Sequence, residues 1–271
     1  MSAIGFGTAP LAFRDISTEQ GISTVHAALD GGIRLVDTAL AYTRVGIESY
    51  AEDLVRRALA QRSDADEVLI ATKGGHRRAG DQFPVDARPA ALRADCEVSL
   101  RNLGVERIGL YQLHHVDPSV PLAESVGALR ELRDAGKIAA IGLSNVSVAQ
   151  IELARGEAPI AVVQNRLSLG DRDDLPTVEY CGREGLDYLA YMPLGGADAR
   201  RDTPAVVRVA GRRGVSVAQV WLAWVLAQGA YVTALAGASR PDTISESARA
   251  ADIRLDRADL AMLREGQPSG G

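Results

Sequence analysis

The sequence is short of cysteine and histidine. Among 271 residues there are only Cys96 and Cys181, each inside a segment of helical pattern, and four histidines. No HxxxH or CxxC spacing occurs, so no protein-bound metal is expected, and the two thiols read as free packing residues rather than a disulfide or a nucleophile. A long apolar run is also missing. The opening MSAIGFGTAPLAF has no positively charged start and no sustained hydrophobic stretch, which argues against a secretory signal and predicts a cytoplasmic protein with no membrane partner. Charge is balanced: 30 basic against 35 acidic residues leave a formal net charge of -5, which argues against broad binding to nucleic acid or anionic lipid. Nothing mid-chain reads as a linker, so one domain over 1–271 is expected, and 46% hydrophobic residues suffice for a sizeable core.

What is present is alternation. Short apolar runs near 3–8, 33–37, 67–72, 107–113, 138–143, 160–164, 187–191 and 231–236 read as strands. Between them lie helical patterns near 18–31, 47–61, 88–103, 121–135, 147–155, 172–184, 203–228 (broken at Gly214) and 241–251, then a last helix near 256–265 and a polar tail, QPSGG. Asp86 and Pro89 open one helix and Gly104 closes it; Pro121 opens the next, and Gly136 ends it ahead of Lys137. Eight strands, each followed by a helix across a short connection, predict an α/β fold of the (β/α)8 TIM barrel class. An open doubly wound sheet competes, but it wants GxGxxG after its first strand, and GFGTAPL lacks the third glycine. In a barrel, function gathers at the carboxyl ends of the strands.

Those ends carry chemistry. IRLVDTALAY delivers Asp37 and Tyr42, VLIATKGG delivers Lys73, and IGLYQLHHVD delivers His114. A carbonyl that accepts hydride develops negative charge on oxygen and needs a proton in a water-poor site. Tyr42 can give it, although a phenol of pKa near 10 donates reluctantly at neutral pH. Lys73 beside it is expected to lower that pKa, Asp37 to fix the lysine, and His114 to orient the carbonyl oxygen. Singly, each has an ordinary reading: a solvated lysine, an aspartate cap, a packing tyrosine, a core histidine. Because side chains alternate along a strand, only one of His114 and His115 points into the barrel mouth, and His114 is the choice.

DTALAY, the lysine of ATKGG, LYQLHHVDP, GKIAAIGLSN, VQNR, AYMPLGG and GASRP, in this order, resemble the aldo-keto reductase family across nearly the whole chain. TKGGH and SLRNLGVERI are most similar to its short bacterial type. The resemblance implies a (β/α)8 barrel using NADPH, sometimes NADH, without metal, and a catalytic tetrad at Asp37, Tyr42, Lys73 and His114. It puts Ser144, Asn145 and Gln164 on the nicotinamide carboxamide, Tyr191 against the ring, Gly7 and Thr8 near the ribose, and Glu246 near the adenine. Met192 and Leu194 of AYMPLGG fall on the pyrophosphate side. Gly237, Ala238 and Ser239 offer backbone amides ahead of a helix with Pro241 in its first turn, and Arg240 offers a planar fork for a phosphate, which favours NADPH over NADH.

Some positions depart from the family pattern. Met192 stands where serine is usual, Thr43 where glycine is common, Thr243 where many members have arginine, and Ser247 where they have asparagine. No long loop follows the last helix, so an open site is expected. Trp221 and Trp224 recur with Val217, Val220 and Val225 at helical spacing and should pack on the barrel. His76 to Arg78 form a loop cluster that could meet an anionic substrate but reads first as solvated, and Arg200, Arg201, Arg212 and Arg213 flank a segment that could fold over the cofactor but read first as helix-face charge. The leading function is reduction of an aldehyde or ketone, or the reverse oxidation of an alcohol or sugar, on a small-molecule substrate. A nucleotide-binding regulatory subunit with little turnover and a Schiff-base aldolase using Lys73 are the alternatives. Substrate and oligomeric state stay open.

Overall fold

The computed structural model describes residues 3–196 and 199–265; the tail QPSGG lies outside the described residues. Strands β1 (Ile4–Gly7), β2 (Leu35–Asp37), β3 (Leu69–Gly74), β4 (Ile108–Leu113), β5 (Ile138–Ser144), β6 (Ile160–Arg166), β7 (Asp187–Tyr191) and β8 (Val232–Gly237) follow in chain order. Each pairs in parallel with the next, and β8 pairs with β1, so the sheet closes into the expected barrel. Around it run α1 (Ala9–Phe13), α2 (Thr18–Asp30), α3 (Tyr50–Leu59), α4 (Pro89–Leu103), α5 (Leu122–Asp134) and α6 (Val148–Glu157). The circuit continues with α7 (Leu175–Glu184), α8 (Pro204–Arg213), α9 (Val217–Leu226), α10 (Pro241–Ala248) and α11 (Arg257–Glu265).

Period-two alternation decides which side chains line the interior. Leu35, Ala71, Leu110, Val162, Leu189 and Leu235 form a small cluster inside the barrel. Their chain neighbours Val36, Tyr111, Val163 and Tyr188 belong to the larger core between sheet and helices. Each large apolar side chain removed from water contributes roughly 1.5–3 kcal/mol, and a one-residue slip would turn a whole strand inside out. The register is therefore fixed by burial, and it also fixes what stands two residues further along each strand.

Several boundaries differ from the sequence reading. β3 runs through Gly74, so Lys73 lies within the strand rather than beyond it. α1 has only five residues, with Pro10 in its first turn, which is too short to show a helical period. The break expected at Gly214 is present: at φ 65 it ends α8, and Ser216 with Gln219 forms a capping box that starts α9. α3 begins at Tyr50, not near 47, because the Thr43 hydroxyl donates to the Ile47 carbonyl (2.5 Å) and accepts from the Tyr50 amide (3.2 Å). Thr43, a departure from the family pattern, thus organises the turn that carries Tyr42 into α3. Cys96 and Cys181 are buried and free, and burial pushes both thiols up to about 12. Trp221 and Trp224 are buried as expected. Among the described residues, no helix is long and apolar enough to cross a membrane.

Candidate active site

Two residues beyond the inner apolar cluster, the same strand faces present Asp37, Lys73, Gln112 and Gln164, all buried. A polar layer thus sits on an apolar floor. Lys73 Nζ donates to Asp37 Oδ2 (2.7 Å), the Thr38 carbonyl (3.0 Å) and Tyr42 Oη (3.3 Å). All three ammonium protons are committed. Asp37 Oδ1 accepts from Gln164 Nε2 (2.8 Å) and Gln112 Nε2 (3.3 Å). Gln112 was not singled out in the sequence. The signal for it was period two, since it lies midway between Leu110 and His114. Glycine at 142 makes room for it: a Cβ there would stand 2.8 Å from Gln112 Cγ.

Burial disfavours the Lys73 ammonium, but Asp37 and Tyr42 outweigh it, and its pKa stands above the ordinary lysine value. Tyr42 corrects the expectation of a lowered tyrosine pKa. Burial raises it, Lys73 pulls it back, and the net direction is upward, because desolvation of a phenolate outweighs one ammonium whose charge Asp37 already balances. The Tyr42 ring meets Phe13 and His114 edge-on, each with 5.8 Å between ring centroids. His114, 7% exposed, follows β4, with its amide on the Gly74 carbonyl (3.0 Å). Burial, helped by Lys73, holds it well below the usual histidine range, so the imidazole is neutral. Asp37, Tyr42, Lys73 and His114 therefore converge on one spot at the carboxyl ends of the strands.

The remaining expected residues line the same end of the barrel. Ser144 closes β5, and Asn145 follows it at φ 58, a left-handed conformation that asparagine tolerates better than most residues. Asn165 holds this bend, its Oδ1 accepting from the Val146 amide (3.0 Å) and its Nδ2 donating to the Val146 carbonyl (2.7 Å). Asn145 accepts from Tyr191 Oη (2.7 Å) and donates to the His114 carbonyl (3.0 Å) and Ser144 Oγ (3.1 Å). Its amide is thus spent on fixing Tyr191 and His114. Gln164 gives its nitrogen to Asp37, leaving its oxygen for an incoming donor. Met192, at φ 51, is exposed, and Leu194 gives its carbonyl to Arg201 (2.9 Å).

At the other end of this rim, Gly7 pairs with both Asp37 and Gly237. Thr8 is fully buried, and its hydroxyl and that of Thr38 have no partner among the described residues. Gly237, Ala238 and Ser239 lead into α10, with Arg240 exposed at its N-cap and free of ion pairs to described residues. Glu246 lies on the same helix, half-buried, its carbonyl accepting from Gln219 (3.0 Å). Ser247 donates to the Thr243 carbonyl (2.9 Å), so its hydroxyl serves the helix.

Two expectations about basic residues fail. The His76–Arg78 segment is not a solvated cluster: His76 packs on His114 and His115, Arg77 pairs with buried Asp95, and Arg78 donates to the Thr43 carbonyl (2.6 Å) beside Phe13 and Phe83. Arg201 is not helix-face charge either; it ties the Leu194 and Gly196 carbonyls, while its own carbonyl accepts from Trp221 Nε1 (3.2 Å). Arg212 and Arg213, at the end of α8, do pair with Asp256 and Asp259. Phe13, whose ring meets Tyr42, also lines an open cavity of about 520 Å³ with Arg14, Arg44, Arg78 and Phe83 among others; Asp37, Tyr42, Lys73 and His114 do not line it.

Comparison with known proteins agrees with this geometry. Residues 3–267 match the model of the aldo/keto reductase family. A probable aldo-keto reductase of Glycine max is 33% identical, over all of this chain and 86% of the relative. A glycerol dehydrogenase from Gluconobacter oxydans superimposes with a TM-score of 0.85 at 30% identity, covering 97% of this chain and 90% of the other. An aldo/keto reductase from Klebsiella pneumoniae, solved in complex with NADP and acetate, gives 0.84 at 30% identity, covering 98% and 92%. The barrel, its strand-end side chains and these matches together show that the chain belongs to the aldo/keto reductase family.

Proposed function

We propose that this protein reduces an aldehyde or ketone with NADPH, Tyr42 being the proton donor, and runs the reverse alcohol oxidation through the same site. One observation carries the reading. An ammonium can only donate, so the Lys73–Tyr42 hydrogen bond makes the tyrosine oxygen an acceptor and leaves the Tyr42 proton free for a carbonyl oxygen in front of it. The raised Tyr42 pKa keeps that proton in place at neutral pH, and Lys73 steadies the phenolate left after transfer. Neutral His114 has one N–H to orient the carbonyl oxygen. The cavity bordered by Phe13 and Phe83 would admit the carbonyl, since the Phe13 ring meets Tyr42 edge-on.

The rim fits a nicotinamide dinucleotide. Two buried hydroxyls on this rim, Thr8 and Thr38, have no partner among the described residues and would suit a polar ligand. When bound, NADPH supplies the hydride. Gly7, Thr8, Ser144, Asn145, Gln164 and Tyr191 would hold its nicotinamide end, with Asn145 acting chiefly by fixing Tyr191. Met192 and Leu194 would flank the pyrophosphate, and Gly237, Ala238, Ser239 and Arg240, with Glu246, would take the phosphate and adenine end. An unpaired Arg240 suits an extra phosphate and favours NADPH, with NADH as the weaker cofactor. The complex of the Klebsiella relative with NADP supports the same choice.

The aldolase alternative fits poorly, because a Schiff-base lysine must lose its proton, whereas Lys73 is held charged with every N–H committed. The reading is tested by following NADPH absorbance with a reactive aromatic aldehyde, beside NADH. Consumption that prefers NADPH is expected. Tight NADPH binding without turnover of any carbonyl in a broad panel would contradict it and favour a regulatory nucleotide-binding role.

A further inference from the structure

Three of the four histidines, distant in sequence spacing from any metal motif, meet at the barrel mouth. His76 lies just after β3, and His114 and His115 just after β4. The ring of His76 stands 4.8 Å from each of the other two, and one ligating atom of each residue lies within 4.8 Å of the others. We propose that His76, His114 and His115 bind a first-row divalent transition metal ion, and that an ion held there takes His114 away from the carbonyl and stops reduction.

Aromatic packing alone does not account for this cluster. The Nδ1 atoms of His76 and His114 are buried and have no hydrogen-bond partner among the described residues. Buried polar atoms are nearly always satisfied, so two orphans in one cluster point to a missing partner. For His76 the tautomer follows from its surroundings. Its Nε2 lies 2.7 Å from the Phe83 carbonyl, which only accepts, so Nε2 carries the proton and Nδ1 presents a lone pair. An imidazole whose second nitrogen donates to a backbone carbonyl is the usual arrangement of a metal-ligating histidine. Asn145 Nδ2 lies 3.4 Å from His115 Nε2, but its two protons serve the His114 carbonyl and Ser144 Oγ, so that contact does not hold the His115 nitrogen. Three imidazoles suit zinc, copper, nickel or cobalt, not magnesium or calcium.

Binding requires closure. With nitrogen-to-metal bonds of about 2.0–2.1 Å, tetrahedral donors stand roughly 3.3 Å apart, so the rings must draw in from their present spread. His76 and His115 are only half-buried, and closure falls chiefly to His115, since His76 is bonded to the Phe83 carbonyl and His114 is held in the wall. His115 must also tilt from its stack on His114, where the rings lie 18° from parallel. Charge permits a cation, since the nearby Lys73 ammonium is balanced by Asp37. Three imidazoles on a tetrahedral ion would leave its fourth position to water.

The binding half of the proposal does not depend on the proposed reduction. Chelator-treated protein is titrated with Co2+ while its visible ligand-field absorption is followed, and the nitrogen hyperfine pattern of a Cu2+-loaded sample counts the ligands. We expect one saturable equivalent, three nitrogens, and at least a tenfold weaker half-saturation in His76→Asn and in His115→Asn, with circular dichroism showing both variants folded. Absorption no stronger than that of the aqueous ion, or unchanged in the folded double variant, overturns the site. The second half is read in turnover: Zn2+ should inhibit wild-type reduction reversibly, with EDTA restoring it, and inhibit His76→Asn at least tenfold less effectively. Stoichiometric binding that leaves turnover untouched overturns the switch.

Discussion

Lys73 Nζ and Asp37 Oδ2 lie 2.7 Å apart inside the barrel, the lysine side chain wholly inaccessible to solvent and the aspartate nearly so. Neither charge is tolerable there alone. The pair is kept because the lysine's remaining protons reach Thr38 and Tyr42, and because Gln112 and Gln164 complete the carboxylate.

The single variants Lys73→Met and Asp37→Ala each leave an uncompensated buried group. Each should lose about 3–5 kcal/mol of stability, measured by urea unfolding. The double variant should lose clearly less than the sum, since it strands no charge. Strict additivity would show that the two do not act as a pair.

The pH dependence follows from the Tyr42 shift. A general acid works only while protonated, and the pKa of Tyr42 lies above the ordinary tyrosine value near 10. Reductive kcat/KM should therefore stay level from neutrality to about pH 10 and fall beyond it. His114 is already neutral, so it adds no step between about pH 6 and 8. Replacing Lys73 by Met removes the influence that lowers Tyr42 and should move the alkaline fall still higher while cutting the rate. A profile falling below about pH 9 would contradict this assignment.

Much of this arrangement was legible in the sequence because barrel strands are short apolar runs with a strict two-residue period. Asp37, Lys73 and His114 announce themselves at the ends of such runs, and Gly104 and Pro89 mark helix α4. Gln112 was missed because a glutamine inside LYQLHH resembles a surface residue until Leu110 is known to face inward. The helix break at Gly214 is legible too, because glycine interrupts the helical pattern there, and the Ser216–Gln219 capping box restarts it. The direction of the Tyr42 shift was misjudged for a different reason: spacing shows a neighbouring charge but not how much water burial removes. The His76–His114–His115 cluster was invisible because its members come from two strand ends that only the closed barrel brings together.

Arg240 sits exposed at the start of α10 without an ionic partner among the described residues. Arg240→Ala should weaken NADPH binding about 10- to 100-fold, as expected for losing a charge-assisted hydrogen bond, and leave NADH nearly unchanged. Equal losses for both cofactors, read by fluorescence titration, would remove Arg240 from the selection of the extra phosphate.

Gly74 is packed against the side chain of Tyr111, whose hydroxyl would lie 2.0 Å from an added Cβ. Tyr111 is fully buried and has no room to retreat. Gly74→Ala should cost about 1–3 kcal/mol, and adding Tyr111→Phe should recover part of it by deleting the clashing oxygen. Thermal unfolding of the three variants checks this, and no recovery in the pair would mean that the backbone, not Tyr111, limits the position.

The most direct measurement is single-turnover reduction of an aromatic aldehyde by NADPH-loaded wild type and Tyr42→Phe. Removing the donor hydroxyl while keeping the ring should slow the step by about 10²- to 10⁴-fold, with NADPH affinity within a few-fold of wild type. A Tyr42→Phe protein that keeps the wild-type rate would show that the proton comes from elsewhere and that the Lys73–Tyr42 contact is structural only.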